Sequence, residues 1–556
     1  MSESTISNQS ESQQLLRACA AAQWRGGTGF DAASLDGSKP ALIKRGDRRA
    51  IYRVDLSHGP VFIKHRTARW FSAWLDRLRG AASRREYLQA LEAERRGVPT
   101  VQALAYATDA GEGASREQLL VTAALPGACQ LDVFIEEHRL GLAVGTLRRR
   151  ALVEALAKLC AAAHEAGLEH DDLHAGNILV VWPAAQLRPA LHLIDLDKAR
   201  FHHALSWRAA RRNLAMLFCG LHHVANERDL RRFWHVYLKQ RHGLRVDRRE
   251  AAKQILTSGM RRVAQVLRDR DRRALRNNRQ FTVVRTAAGV ALGLAEDGNA
   301  KLAEWLAMAQ QLIAQPGAEA LKLSFGGLVL KSSLPGSPAE AIVLKRFRPK
   351  GWLKRLVAPF RPSRARINWV RGHALLARGI ATATPRCVLE PWPAALGGES
   401  YLATEWIAGA RNLHLYLWDL AKRPEEEQRA ALRHDAESLG ALLGKMHFYQ
   451  VAHRDLKAGN LTAAESQGTT CWYLLDLDGV RLRRSIRFAE RAANLARLAV
   501  SAEIHPLISR ADRWRFLKAY AQAAGQRDDL RVLWRAVAKE CRRHVERLES
   551  RGSIVA

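Results

Sequence analysis

Two octapeptides, HDDLHAGN (residues 170–177) and HRDLKAGN (residues 453–460), hold His, Asp, Leu, Ala, Gly and Asn in register, 283 positions apart. Each places an aspartate five residues before an asparagine: Asp172 and Asn177, then Asp455 and Asn460. Each is followed by an apolar run ending in acid, LHLIDLD with Asp195 and WYLLDLD with Asp476. Far upstream of each, a β-branched apolar run ends in lysine, PVFIKH with Lys64 and AIVLKR with Lys345. Lysine, loop aspartate, asparagine and strand-end aspartate, in that chain order, are the parts of a phosphoryl-transfer site. Moving a γ-phosphoryl group asks for little covalent chemistry from the protein, but it needs charge neutralised and groups aligned. The loop aspartate accepts the proton of the acceptor hydroxyl, while the asparagine and strand-end aspartate hold Mg2+ against the phosphates. The strand lysine grips the α- and β-phosphates and is steadied by a helix glutamate.

The elements that must position these groups also come twice. A helical pattern ending in histidine precedes each octapeptide, LAKLCAAAHEAGLEH and LGALLGKMHFYQVAH. A second helical pattern ends in a shared turn, LEAERRGVPT and HALLARGIAT, and helical, basic segments containing RRNLAMLF and AANLARLA close each copy. Internal repetition on this scale means one structural plan used twice. A chain of 556 residues also exceeds what one hydrophobic core organises. The expected division is a polar, disordered tail over residues 1–14, a first domain over 15–276, a linker over 277–317 and a second domain over 318–556.

HRDLKAGN matches the protein-kinase catalytic-loop pattern, and HDDLHAGN is similar to the variant found in small-molecule kinases. The wider frame, with IDLD or LDLD and the turn L-x-x-x-G-[VI]-x-T, resembles the bacterial lipopolysaccharide kinase (Kdo/WaaP) family, over two nearly full-length copies. The resemblance implies an α+β fold of two tandem protein-kinase-like bilobal domains. Each would pair a small antiparallel-sheet N-lobe and its one main helix with a larger, mostly helical C-lobe. It implies ATP and Mg2+ as cofactors and a sugar of the lipopolysaccharide inner core as acceptor. Carried across, Asp172 is the base of the first half, Asn177 and Asp195 its Mg2+ ligands and Lys64 its phosphate clamp. Glu86, in SRREYLQALEAERRG, is the candidate partner of Lys64. The second half offers Asp455, Asn460, Asp476 and Lys345. Lys457, two residues after the base, is placed to touch the transferred phosphate, and His174 fills that slot in the first half.

The departures bear on substrate and activity. Neither half has a G-x-G-x-x-G loop; Gly46 and the pair Gly326 and Gly327 are the nearest features. D-F-G reads DLD in both copies and no A-P-E follows, so a peptide-docking activation segment is not expected and a glycan or small-molecule acceptor is favoured. Asn368 falls where Glu86 stands in the first half, and Asp171 replaces the usual arginine, which leaves open whether both halves transfer phosphate. A Ser/Thr protein kinase and a tandem pseudokinase scaffold are the alternative readings. His164, His170, His447 and His453 read as packing residues that brace the loops rather than metal ligands. Asp197 and Asp478 suit a second metal or a helix cap equally.

The net charge of +33 recruits polyanions. No nucleic-acid module is matched, so an anionic membrane surface and a lipid-linked sugar or glycolipid are the expected partners, with no specific nucleic acid. The Trp- and Arg-rich inserts at residues 69–80 and 351–362 suit either an interfacial segment or a helix packed on its own lobe. Seven scattered cysteines without a C-x-x-C pair fit a reducing compartment. With no apolar signal at the start and no membrane-length apolar run, the expectation is a cytoplasmic protein, peripheral on the inner membrane.

Overall fold

In a computed structural model, the residues described are 13–26, 32–35, 38–45, 49–68, 81–108, 116–138, 141–143, 145–242, 244, 246–313, 318–324, 327–348, 361–392, 398–466, 469–525 and 529–550. The chain divides into two units, Met1–Val263 and Ala264–Ala556. The division falls inside the helix Arg248–Arg273. Both inserts lie outside the described residues except for Arg361 and Pro362, as do Gly46 and Gly326.

The first unit opens with a helix over residues 13–21, so Gln13 and Gln14 are helical rather than part of a disordered tail. Its sheet has six antiparallel strands in the order Trp24–Arg25, Ala103–Thr108, Arg116–Ala123, Gly59–Ala68, Arg49–Leu56, Ala41–Arg45. Side chains alternate across a strand. Val61, Ile63 and Val54 therefore share one face, and they are buried with Leu15 and Cys19 of the opening helix. Lys64 points to the opposite face, where Leu120, its partner across the sheet, packs with Tyr87 and Ala90 of the helix Ala82–Arg95. One apolar alternation thus delivers the lysine to the helix that carries Glu86.

Below the sheet lie the helices Leu131–Glu137, Leu147–Glu165, Trp207–Leu221 and Glu227–Gln240. They form one core with the short strands, Leu156, Leu173, Ile178, Leu193, Leu214 and Tyr237 among its residues. The octapeptide runs out of the strand Leu168–His170 and into Ile178–Val181.

The second unit repeats the plan with a seven-stranded antiparallel sheet. Its order is Phe281–Thr286, Gly289–Leu294, Pro385–Pro391, Ser400–Glu405, Ser337–Phe347, Gly327–Leu334, Glu319–Ser324. The stretch 277–317, read as a linker plus the start of the second N-lobe, has its first part built into this sheet. Phe281–Thr286 and Gly289–Leu294 form a hairpin joined to Pro385–Pro391. Gly289 makes the turn possible: its φ is +139°, and a Cβ there would meet Glu390 O at 2.1 Å. The helix Gly298–Ala307 then buries Leu302, Trp305 and Leu306 against Ala291, Leu344 and Tyr401. The face so covered is apolar, which is why this segment cannot hang free in solvent.

The other face of the sheet meets the helix Arg364–Ala377, whose Trp369 donates its indole N–H to Ala274 O at 2.7 Å. Arg378, just beyond, makes a bidentate buried pair with Asp271 at 2.8 and 2.9 Å. Beneath lie the helices Leu413–Leu420, Glu425–Phe448, Phe488–Ala502, Arg510–Ala523 and Leu530–Glu549. Glu425–Phe448 and Arg510–Ala523 approach closely at Gly440 and Gly444, where an added Cβ would stand 2.4 Å from Phe516 O and from Tyr520 O. Each unit is thus an α+β, kinase-like bilobal body. No described helix is long and apolar enough to cross a membrane.

Candidate active sites

In the first unit Lys64 Nζ lies 2.5 Å from Glu86 Oε1 and is also paired with Asp195. Lys64 and Glu86 are nearly buried, with side chains 13% and 12% exposed. Burial opposes the Lys64 charge, but the two carboxylates outweigh it and keep the ammonium protonated. Burial likewise pushes Glu86 up against the pull of Lys64. Asp195 also receives the guanidinium of Arg49 at 2.6 Å. Burial disfavours its ionisation, yet Lys64 and Arg49 together hold the carboxyl far below the usual range. Asp195 adopts φ +60°, a left-handed conformation that L-residues enter at a cost and that aspartate tolerates better than most.

The octapeptide loop is braced from several directions. His170 donates from Nε2 to Ile194 O at 3.3 Å and accepts the Asp172 amide on Nδ1 at 3.2 Å. Asn213, from the helix Trp207–Leu221, accepts from the His170 amide at 2.9 Å and donates to His170 O at 3.1 Å. Asn177 donates to Asp172 O at 2.9 Å, which closes the loop and leaves the aspartate carboxylate at its rim. That carboxylate is met by Lys198 Nζ at 3.2 Å and by His174 Nε2 at 3.9 Å. The shared G-[VI]-x-T turn has a mechanical role: Thr100 donates to Leu193 O at 2.8 Å and so ties the acidic strand to the helix that bears Glu86.

The second unit keeps the loop and rebuilds its surroundings. Asn460 donates to Asp455 O at 2.7 Å, Asn494 accepts from the His453 amide at 2.9 Å, and Thr382 donates to Leu474 O at 2.6 Å. His453 donates to Asp476 O at 2.7 Å. Lys457 Nζ lies 3.0 Å from Asp455 Oδ2. Burial opposes ionisation of Asp455, but that ammonium, assisted by His453, keeps the carboxyl below its ordinary value.

The lysine end differs. Lys345 Nζ lies 3.4 Å from Leu475 O. Asn368 turns its amide to Asp478 at 3.1 Å, and Arg364 pairs with the same carboxylate. Arg371 donates to Leu477 O at 3.1 Å and Asp478 O at 3.3 Å. Asp478 is therefore a salt-bridge acceptor for the helix, where the sequence left metal and helix cap open. Asp476 lies outside the left-handed region, unlike Asp195.

The model of the lipopolysaccharide kinase (Kdo/WaaP) family matches residues 51–237 and 353–520, well over half of the chain and once in each unit. The chain belongs to the lipopolysaccharide kinase (Kdo/WaaP) family. It is a kinase. Among similar proteins, the lipopolysaccharide core heptose(I) kinase WaaP of Pseudomonas aeruginosa is 28% identical over 225 residues, 39% of this chain and 83% of that protein. A solved structure of WaaP in complex with acyl carrier protein covers 44% of this chain and 99% of its own at 21% identity, with a TM-score of 0.34.

In this Kdo/WaaP chain, the first unit brings Lys64, Glu86 and Asp195 into one ionic cluster, with Asp172, Asn177 and His174 on the neighbouring loop. The second brings Asp455, Lys457 and Asn460 together and seats Lys345 on the carbonyl just before Asp476. Sequence reading missed four groups. Asn213 and Asn494 were visible as the in-register Asn of RRNLAMLF and AANLARLA. Arg49 and Lys198 carry no motif, and in a chain with 88 lysines and arginines only the fold singles them out.

Proposed function

We propose that the protein uses ATP and Mg2+ to phosphorylate a hydroxyl of a lipopolysaccharide inner-core sugar, Kdo or heptose, or of a related glycolipid, at the cytoplasmic face of the membrane, and that the first unit performs the transfer. The observation that carries this reading is the Lys64–Glu86–Asp195 cluster beside the Asp172 loop. Family membership supports the acceptor class, and so does the heptose(I) kinase named among its relatives. A field of +33 favours an anionic lipid surface and an already phosphorylated core.

Each residue has a defined task in this reading. Lys64, held by Glu86, grips the α- and β-phosphates. Asn177 Oδ1 and the Asp195 carboxylate would hold magnesium; they are oxygen donors, and Mg2+ in kinases takes few protein ligands plus substrate phosphates. Among the described residues no group of three or more His, Cys, Asp or Glu forms a metal cage, which is compatible with that sparse ligation. Bound magnesium would supply charge neutralisation on the triphosphate. Arg49 bonds to Asp195 Oδ1, the oxygen that Lys64 also holds, so its charge would oppose a cation on that carboxylate. Asp172, fixed through the backbone by Asn177 and His170, accepts the acceptor hydroxyl's proton.

A second reading applies to the second unit alone. With Asn368 in place of the helix glutamate and Asp478 bound to Arg364, it serves as a non-catalytic scaffold. The test is transfer of labelled phosphate from ATP to core-truncated lipopolysaccharide bearing Kdo and heptose. Asp172→Ala is expected to lower the rate by about 100-fold or more, and Asp455→Ala by no more than about threefold. Transfer to protein but not to glycolipid would replace the glycan acceptor with a Ser/Thr kinase reading. Loss in Asp455→Ala alone would move the chemistry to the second unit.

A further inference from the structure

Both units place one lysine ammonium on the carboxylate of the loop aspartate, but they draw it from different elements. In the second it is Lys457, two residues after Asp455 in the loop, with Nζ at 3.0 Å. In the first that slot is His174, and the ammonium is Lys198, at 3.2 Å from Asp172, from the short turn Leu196–Lys198 that follows Asp195. Counting from the strand-end aspartates Asp195 and Asp476, Lys198 falls opposite Gly479. The exchange is therefore reciprocal: His174 with Lys198 in one copy, Lys457 with Gly479 in the other.

Packing in the second copy favours glycine at the turn. A Cβ on Gly479 would stand 2.3 Å from His453 Cε1. That ring is buried and bonded to Asp476 O, so a side chain at 479 would require the ring or the turn to shift. Lys198 and Lys457 are both about half exposed, at 58% and 51%, so each remains open to solvent while it pairs with the carboxylate.

We propose that Lys198 is the cation that meets the phosphoryl group in transit in the first unit, replacing from the turn the lysine that the octapeptide lacks. The inference rests on the phosphotransfer reading above. As the acceptor oxygen bonds to the γ-phosphorus, the bond to the β–γ bridging oxygen breaks, the hydroxyl proton passes to Asp172 and ADP departs. Lys198 forms no bond and gives up no proton. Its ammonium bonds to a γ-phosphoryl oxygen and prevents repulsion between that oxygen and the Asp172 carboxylate. The contact is to the γ-group alone, so it distinguishes ATP from ADP.

The experiment uses the full chain carrying Lys345→Ala, to keep nucleotide out of the second unit, and compares Lys198 with Lys198→Ala and with the exchange His174→Lys/Lys198→Gly. Calorimetry with Mg·ATP and Mg·ADP is paired with the rate of transfer to core lipopolysaccharide. Lys198→Ala is expected to weaken Mg·ATP about tenfold with Mg·ADP changed less than about twofold, and to slow transfer about 100-fold. The exchange variant is expected to recover the ATP-to-ADP ratio to within about threefold. An unchanged ratio, or equal losses for both nucleotides, would show a brace or a bystander and overturn the proposal. If Lys198→Ala erases the ratio while the parent transfers nothing to any sugar, the contact stands and the glycolipid reading falls.

Discussion

Asp195 is where opposing demands meet in the first unit. Its carboxylate carries two cations, Lys64 and Arg49, on a backbone held at φ +60°. The arginine is extra: it shares Oδ1 with Lys64, and its positive charge would oppose a metal ion on the same carboxylate. Strand register shows where it comes from. Ile51 faces Lys64 across the sheet, and Arg49 lies two residues earlier on the same side. In the second unit Val329 faces Lys345, and the residue two earlier is Gly327, which has no side chain to offer. Arg49 would therefore oppose a metal ion at Asp195 through its charge, and in one unit only. Arg49→Gln is expected to lower the Mg2+ concentration for half-maximal transfer about three- to tenfold, read by titrating magnesium at fixed ATP. A midpoint equal to or above the parent's would remove Arg49 from that role.

At the level of elements, each C-lobe is pinned by a buried histidine and tyrosine. His164 Nδ1 meets Tyr237 OH at 2.8 Å, and His447 Nδ1 meets Tyr520 OH at 2.7 Å. Burial pushes His164 down to about 3 and His447 to about 4, so both imidazoles are neutral in the fold. An unfolded chain takes up these protons near pH 6.5 while the native fold does not. Stability is thus full above that pH and falls as acid is added down to about pH 4, by up to about 3 kcal/mol for His447. His447→Gln should flatten the decline of the second unit's thermal midpoint between pH 7 and 4.5; an unaltered slope would contradict the assignment. These histidines were legible as repeated residues at helix ends, because 3.6-residue periodicity and the 283-residue offset both mark them. So were the lysine strands, whose alternation fixes the face Lys64 occupies. The hairpin Phe281–Leu294 was not, because short runs such as TVVRT and VALGL gain meaning only from a distant partner, here Pro385–Pro391. Lys198 escaped for the same reason: its target lies 26 residues earlier in the chain.

For the whole molecule, the positive charge is a long-range property, while the site pairs act over a few ångströms. Ionic strength separates them, since exposed charges beyond about 8–10 Å are screened in physiological salt and buried contacts much less. Binding to vesicles rich in anionic lipid is expected to drop at least tenfold between about 0.05 and 0.5 M NaCl, with Mg·ATP affinity shifting by less than that. Sedimentation of the protein with vesicles at both salt levels decides it, and salt-insensitive association would point to an apolar anchor instead. Duplication has also given the two halves unequal freedom to change. A bare methyl group at position 479 already collides with the His453 ring. A lysine at 479 would therefore come with a shift of the His453 ring or of the turn, so exchanging the cation's origin between the halves entails a change in the loop beneath as well.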